Sequence, residues 1–210
     1  MRVKIKNLKF KIKNYAGFTL VELLIVIGLL GAIALIVIAA INPIEQSNRA
    51  RDTRFKADGA QLISAHDRFF AARNEFVWVT VSKAAGGSVT NDDAFGFLTA
   101  GNEGVGLCGA TCTTDGYLIT TDELKPEFRN RDFIKATALD KQLLIGKAQG
   151  TSESVYACFI PASKATRDKS VADQHVYTIS AADGTRAPTT TCDAAGANWV
   201  TSGCYVCIPE

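Results

Sequence analysis

Cysteines are the residues of this chain with the most predictable chemistry. All six lie in its second half, at Cys108, Cys112, Cys158, Cys192, Cys204 and Cys207. Cys204 and Cys207 have the Cys-x2-Cys spacing of zinc ligands, and Cys108 and Cys112 come close to it. An even number of cysteines in an exported domain instead favours disulfides, which persist in oxidising compartments. The choice between metal and disulfide therefore depends on whether this half of the chain leaves the cytoplasm.

Catalytic residues in a recognisable arrangement are missing from the sequence. His66 and His175 are the two histidines, and neither has the serine or cysteine spacing of a nucleophilic site. The GNEGVG stretch at 101–106 lacks the Lys-Ser/Thr of a phosphate-binding loop. The loop acids lack the spacing of an EF-hand. We therefore predict a protein that is not an enzyme and that uses neither a cofactor nor a metal.

An apolar run at residues 18–41 follows a strongly basic start. As a helix it would measure about 36 Å at about 1.5 Å per residue, enough to cross a hydrocarbon core of ~30 Å. It is too long for a cleaved secretory signal. Residues 1–17 hold six basic residues and no acid, which predicts a cytoplasmic N-terminus and an exported C-terminal part. Export favours disulfides over zinc, although the sequence does not choose among the possible pairings.

Glu22 is the one charged residue of this run. A carboxylate within hydrocarbon costs free energy, least of all near the membrane surface. At the start of a helix, the unsatisfied N–H groups and the helix dipole favour an anion. From the residues alone, Glu22 can be an interfacial carboxylate without a partner, or it can have a specific partner.

The stretch GFTLVELLIVIGLLGAIA at 17–34 resembles the N-terminal motif of type IV pilins and of the pseudopilins of type II secretion. The resemblance implies that a prepilin peptidase cuts after Gly17 on the cytoplasmic side and N-methylates Phe18. The leader is then lost, and the formal charge changes from +2 to −4. The resemblance also implies that Glu22 pairs with the N-terminal ammonium of a neighbouring subunit, because a buried charge needs a partner.

Four segments follow from this division of the chain. We expect a leader at 1–17, a transmembrane and filament-core helix at 18–43, the amphipathic half of the same helix at 44–73 and an extracellular head at 74–210. Pro43 removes an intrahelical hydrogen bond and should kink the helix.

Short strands dominate the predicted head. FVWVTV at 76–81 is typical of a strand, 82–117 of a long loop, and 121–139 of a short helix with turns. Four further stretches, KQLLIGKA, SVYACFIPA, QHVYTIS and WVTSGCYVCI, predict an antiparallel meander. Cys158 falls in one of these strands and Cys204 and Cys207 in another, so a cross-link would pin the C-terminal strand. The predicted fold class is α+β and pilin-like, with a disulfide-stapled C-terminal domain.

These features predict a structural subunit of a bacterial type IV pilus-like filament that serves adhesion, twitching motility or DNA uptake. Its implied partners are the prepilin peptidase, identical or related subunits, the pilus assembly platform and, before assembly, the cytoplasmic membrane, which the chain crosses once. Alternatives are a minor tip pilin that binds a ligand, a type II secretion pseudopilin and a single-pass anchored extracellular enzyme. The cluster NRARDTRFK at 48–56 has the mixed charge of a solvated helical face, and nucleic acid stays open as a partner.

Overall fold

Two units make up the chain, one ending at Pro43 and the other spanning Ile44–Glu210. The computed structural model describes residues 17–40, 42–193, 195 and 198–210, and all of the predicted leader at 1–17 except Gly17 lies outside them. The first unit contains helix α1 (Leu20–Ala40). All its side chains from Leu20 to Ile38 are exposed, and their mean hydropathy is 3.0. By length and composition this helix could cross a membrane.

The second helix, α2 (Pro43–Arg73), begins at the proline that we expect to interrupt the rod. Proline suits the first position of a helix because its φ is already helical and its missing N–H would have no intrahelical partner there. The kink itself stays a prediction. The remaining helices and strands are, in chain order, α3 (Val77–Ala84), β1 (Phe95–Thr99), α4 (Tyr117–Thr120), β2 (Leu143–Lys147), β3 (Val155–Phe159), α5 (Lys164–Ala172), β4 (Tyr177–Ile179), β5 (Arg186–Pro188) and β6 (Val206–Ile208).

A four-stranded antiparallel sheet in the order β1-β2-β3-β6 forms the centre of the second unit. The apolar stripe of α2 packs on it: Phe55 meets Phe159 of β3 edge to face, with ring centroids 5.6 Å apart. Gly59 allows this close approach, since a Cβ there would lie 3.1 Å from the Cβ of Ala157. The predicted α+β class is confirmed, with a long apolar N-terminal helix, an antiparallel sheet and disulfides in the C-terminal region.

Three of the predicted elements are wrong in detail. The stretch at 76–81 is helical, because a helix stacks Trp78 between the rings of Phe76 and Phe95 at 4.4 and 4.6 Å. A short apolar run does not distinguish a buried helix from a strand. The predicted loop at 82–117 contains β1. Gly96 interrupts the sequence pattern that would have predicted this strand. That glycine is required by the close passage of the Ala181 backbone.

The third correction concerns the meander. Its predicted third strand, β4, pairs with β5 in a separate two-stranded sheet, and β6 takes the position beside β3. Tyr177 of β4 belongs to a second cluster of buried apolar residues, which also contains Trp199 and Tyr205 and is distinct from the cluster around Phe55 and Leu62. Pairing partners of this kind depend on tertiary packing and not on strand propensity.

All six cysteines are paired. Cys158 and Cys207 face each other in the β3–β6 register, and their disulfide pins the C-terminal strand to the sheet. The other bonds join Cys108 to Cys112 and Cys192 to Cys204. Cys204 and Cys207 thus bond to different partners, which contradicts a shared zinc site for the Cys-x2-Cys pair.

Two carboxylates of α2 hold the segment that leads into α5. Asp52, only 1% exposed, accepts hydrogen bonds from the N–H groups of Ala162 and Ser163 at 3.0 and 2.9 Å. Its neighbour Arg51 donates to it and to the carbonyl of Ile160. Nearer the start of α2, Glu45 accepts from the first N–H groups of α5. Because helix starts leave such donors unsatisfied, these acids both tether α5 and complement its dipole.

We expect Asp52→Ala to lower the free energy of unfolding by about 3 kcal/mol, because it leaves two buried N–H donors and a guanidinium without their acceptor. Urea unfolding of the full chain in detergent measures the loss. Asp168→Ala is the matched control, since Asp168 forms an exposed pair with Lys164 and should contribute at most about 1 kcal/mol. Equal losses in the two variants would contradict the tethering role of Asp52.

His66 lies completely buried on α2, against the ring of Trp78 at 5.7 Å. Within the described part of the chain neither of its ring nitrogens has a hydrogen-bond partner. Burial without a partner disfavours the imidazolium and lowers the pKa of His66 from 6.5 to about 4. The folded state therefore holds His66 neutral at pH values where the unfolded chain binds a proton.

This difference predicts a loss of stability in acid. As the pH falls from about 6.5 to about 4, the unfolded chain gains a proton on His66 that the folded chain does not, so its contribution to stability falls by about 3 kcal/mol. His66→Leu removes the titrating group from an apolar site. Urea unfolding at a series of pH values should give a flatter profile for this variant, and parallel profiles would contradict the assignment.

Candidate functional site

The predicted processing site lies just before α1. Gly17, Phe18 and Thr19 have no regular secondary structure, and Phe18 exposes 76% of its surface. A Cβ at Gly17 would meet no atom within 4 Å. The bond between Gly17 and Phe18 is therefore accessible in the described part of the chain, in a stretch without regular secondary structure.

Thr19 and Glu22 form a capping box at the start of α1. The Thr19 hydroxyl accepts a hydrogen bond from the Glu22 N–H at 3.2 Å. In return, Glu22 Oε2 accepts from the Thr19 N–H at 3.1 Å and from its hydroxyl at 3.0 Å. Two N–H groups that a helix start leaves unsatisfied thus gain acceptors. Sequence reasoning missed Thr19, although the Thr-x-x-Glu spacing followed by an apolar run is the signal of this motif.

Glu22 consequently has a local role before any partner arrives. Its carboxylate caps the helix and lies where the dipole favours negative charge. Oε2 carries the two bonds to Thr19, and Oε1 makes no hydrogen bond to the residues that the structure describes. The reading of Glu22 as an interfacial carboxylate without a partner is therefore incomplete. One oxygen is held in place by the helix, and the other is free to accept from a second chain.

The surface of α1 is uncovered from Leu20 to Ile38. Gly28 and Gly31 have open space around them, so no neighbour within the described chain requires a glycine at either position. Each is expected to weaken the helix by roughly 1 kcal/mol relative to alanine. Small residues in apolar helices allow close packing against other helices. Such packing would have to involve a helix from another chain.

The remaining candidate residues do not come together in one site within the part of the chain that the structure describes. The six cysteines are consumed in disulfides. Across the described residues, no group of three or more His, Cys, Asp or Glu side chains is placed to hold a metal. His66 is buried in the core, and His175 lies at the surface beside Glu210, with 3.4 Å between Nδ1 and Oε2. The start of α1 is therefore the best candidate for a functional site.

Comparison with known proteins bears on the same residues. The family model described as the prokaryotic N-terminal methylation motif matches residues 12–38. This match includes Gly17, Phe18, Glu22 and most of α1, and it ends before the second unit. Neither a curated protein nor a solved structure matches the chain significantly. The methylation motif, joined to a long apolar helix, supports a prepilin of the type IV pilin or pseudopilin type.

Proposed function

We propose that this chain is a structural subunit of a bacterial type IV pilus-like filament. The prepilin peptidase cuts it after Gly17 and methylates the new amine of Phe18, and the subunit then assembles through α1. The observation that carries the proposal is the methylation motif, placed at an exposed Gly17–Phe18 bond directly before an uncovered apolar helix. Residues 1–17 act as the leader, 18–43 as the membrane and filament-core helix, 44–73 as its amphipathic half and 74–210 as the extracellular head.

Processing changes the electrostatics of the helix start. Hydrolysis after Gly17 removes the six basic residues of the leader and leaves an ammonium on Phe18. In a low-dielectric filament core, that charge needs an anionic acceptor. The free Oε1 of Glu22 on a neighbouring subunit provides one, while Oε2 stays bonded to Thr19.

The location of the subunit changes when it assembles. Before assembly, α1 anchors the subunit in the cytoplasmic membrane with its N-terminus inside. After assembly, the head lies outside the cell, where its three disulfides persist. A type II secretion pseudopilin is the second candidate, because the methylation motif fits both classes. Adhesion, twitching motility and DNA uptake are possible uses of such a filament.

Processing is tested on the mature protein. We expect N-terminal sequencing and mass spectrometry to find a chain that begins with N-methylated Phe18. Gly17→Val should retain the leader and stay out of filaments, because a branched side chain obstructs the peptidase at the cut. Gly28→Ala is the control, since it replaces a glycine in open space and should be cut normally. A mature chain that keeps Met1 would refute the proposal and favour a permanently anchored protein.

The pairing role of Glu22 is tested by separating its charge from its capping function. Glu22→Gln keeps a capping oxygen but loses the charge, so it should be cut normally and yield about tenfold fewer sheared filaments. Thr19→Ala keeps the charge and loses the cap, at a cost of about 1 kcal/mol in helix stability. It should assemble at near-normal yield. If Thr19→Ala lost filaments and Glu22→Gln kept them, capping and not pairing would be the function of Glu22.

A further inference from the structure

We propose that two oppositely charged surfaces on the flanks of α2 bind each other between neighbouring copies of this chain. Both surfaces lie within the unit Ile44–Glu210, so the contact is separate from the apolar helix and from Glu22. The inference rests on the proposed function in one respect, since it takes the assembly to be a filament. In addition to the contact through α1, the head of each copy would then bind the head of a neighbouring copy.

The basic surface is a cavity of about 510 Å³ between α2 and the segment 130–141. Five cationic side chains line it against two carboxylates: Arg51, Arg54, Arg131, Lys135 and Lys141, with Asp58 and Asp132.

Two of these cations are engaged within the chain. Arg51 bonds to Asp52 and to the carbonyl of Ile160, and Arg131 pairs with Asp58 at 3.2 Å. The exposed Arg54, Lys135 and Lys141 form no ion pair with any residue that the structure describes, although Arg54 lies close enough to Asp58 to act on its charge. Like charges gathered in one cavity repel each other, and an acidic partner would remove that cost.

The acidic surface lies on the other flank of α2. Asp67 and Glu153 line a shallow cavity of about 380 Å³ there. The backbone carbonyl of Asp92 accepts from Gly150 N–H at 2.8 Å, which brings the exposed Asp92 and Asp93 beside the turn that carries Glu153.

Arg68 and Lys147 are cations close to these carboxylates within the described chain. Arg68 acts on Asp67 but is bonded to Glu123. The ammonium of Lys147 is buried and donates to the carbonyls of Asn91, Ala148 and Gly150. Burial lowers the pKa of Lys147, and the neighbouring Asp92 and Glu153 counteract this shift. Because Arg68 is paired with Glu123 and the Lys147 ammonium is buried, the acidic surface keeps an excess of negative charge.

The geometry of α2 keeps the two surfaces of one chain apart. At about 100° per residue, Arg54 and Asp67 point about 140° away from each other around the helix. The buried stripe that includes Phe55 and Leu62 packs α2 on the head, so neither flank can turn towards the other.

Complementary surfaces that cannot meet within a chain can meet between chains. Such a contact joins two different surfaces and is therefore heterologous. Repeated without closing, a heterologous contact generates an open helical filament. Charge complementarity of this kind also fixes the register between subunits. The opposite charges of the two surfaces therefore fit an open helical filament, the assembly in which prepilins with the methylation motif take part.

Charge reversal tests the contact in cells that express the full chain. Lys135→Glu with Lys141→Glu should lower the yield of sheared filaments about tenfold, because both surfaces are then acidic. Asp67→Lys with Glu153→Lys should do the same. The variant with all four changes restores opposite charges and should recover filaments to within about twofold of the unmodified chain. Lys125→Glu with Lys169→Glu is the control, since both lysines are exposed and lie outside the two surfaces; it should assemble normally.

The results separate this inference from the proposed function. An unmodified chain that is not cut and forms no filaments refutes the proposed function. Normal filaments from both charge reversals overturn the head contact alone. Loss without rescue in the fourfold variant also overturns it, and indicates a different anionic partner for the basic surface.

A second measurement needs no variant and covers the case in which reversal of Glu153 unfolds the head. Carbodiimide treatment of unmodified filaments joins amines to carboxylates in direct contact. We expect intersubunit peptides that link Lys135 or Lys141 to Asp67 or Glu153. Links from these lysines only to carboxylates elsewhere would overturn the proposal.

Discussion

The uncovered surface of α1 is the constraint on which the biology of this chain depends. Its side chains from Leu20 to Ile38 are exposed, and all of them except Glu22 are apolar. Water disfavours such a surface by roughly 25 cal/mol per Å². The helix therefore needs a bilayer or other chains around it. Movement from the first environment to the second is the process that a prepilin undergoes, and the methylation motif lies at the start of this helix.

A helix that must serve in two apolar environments places strict conditions on its one charged residue. Glu22 meets them in two ways. Its Oε2 satisfies the start of its own helix through Thr19, which suits a subunit in the membrane. In the proposed filament, its Oε1 accepts from the ammonium that cleavage creates on another chain. A catalytic acid would need neither property, whereas an assembly contact that forms after processing needs both.

The second unit gains its rigidity from contacts that are distant in sequence. Asp52 of α2 binds the backbone that precedes α5, and the Cys158–Cys207 disulfide joins the last strand to the sheet. These contacts hold α2 firmly on the head. A rigid α2 is a condition for the two charged flanks to present fixed surfaces to neighbouring subunits. The head and the apolar helix can thus contribute to one assembly by different physics, electrostatic in the first case and apolar in the second.

Local patterns in the sequence determined the apolar helix, the helical character of 44–73 and the α+β class, because hydrophobic periodicity and strand propensity act over a few residues. They also contained the Thr19–Glu22 capping box, which went unnoticed. Tertiary structure alone decided four other matters. It made 76–81 a helix, since Trp78 stacks between two phenylalanines. It chose the cysteine pairs and moved β4 out of the main sheet. It also gathered Arg54 with Lys135 and Lys141, residues about 80 positions apart, because only packing brings distant charges into one cavity.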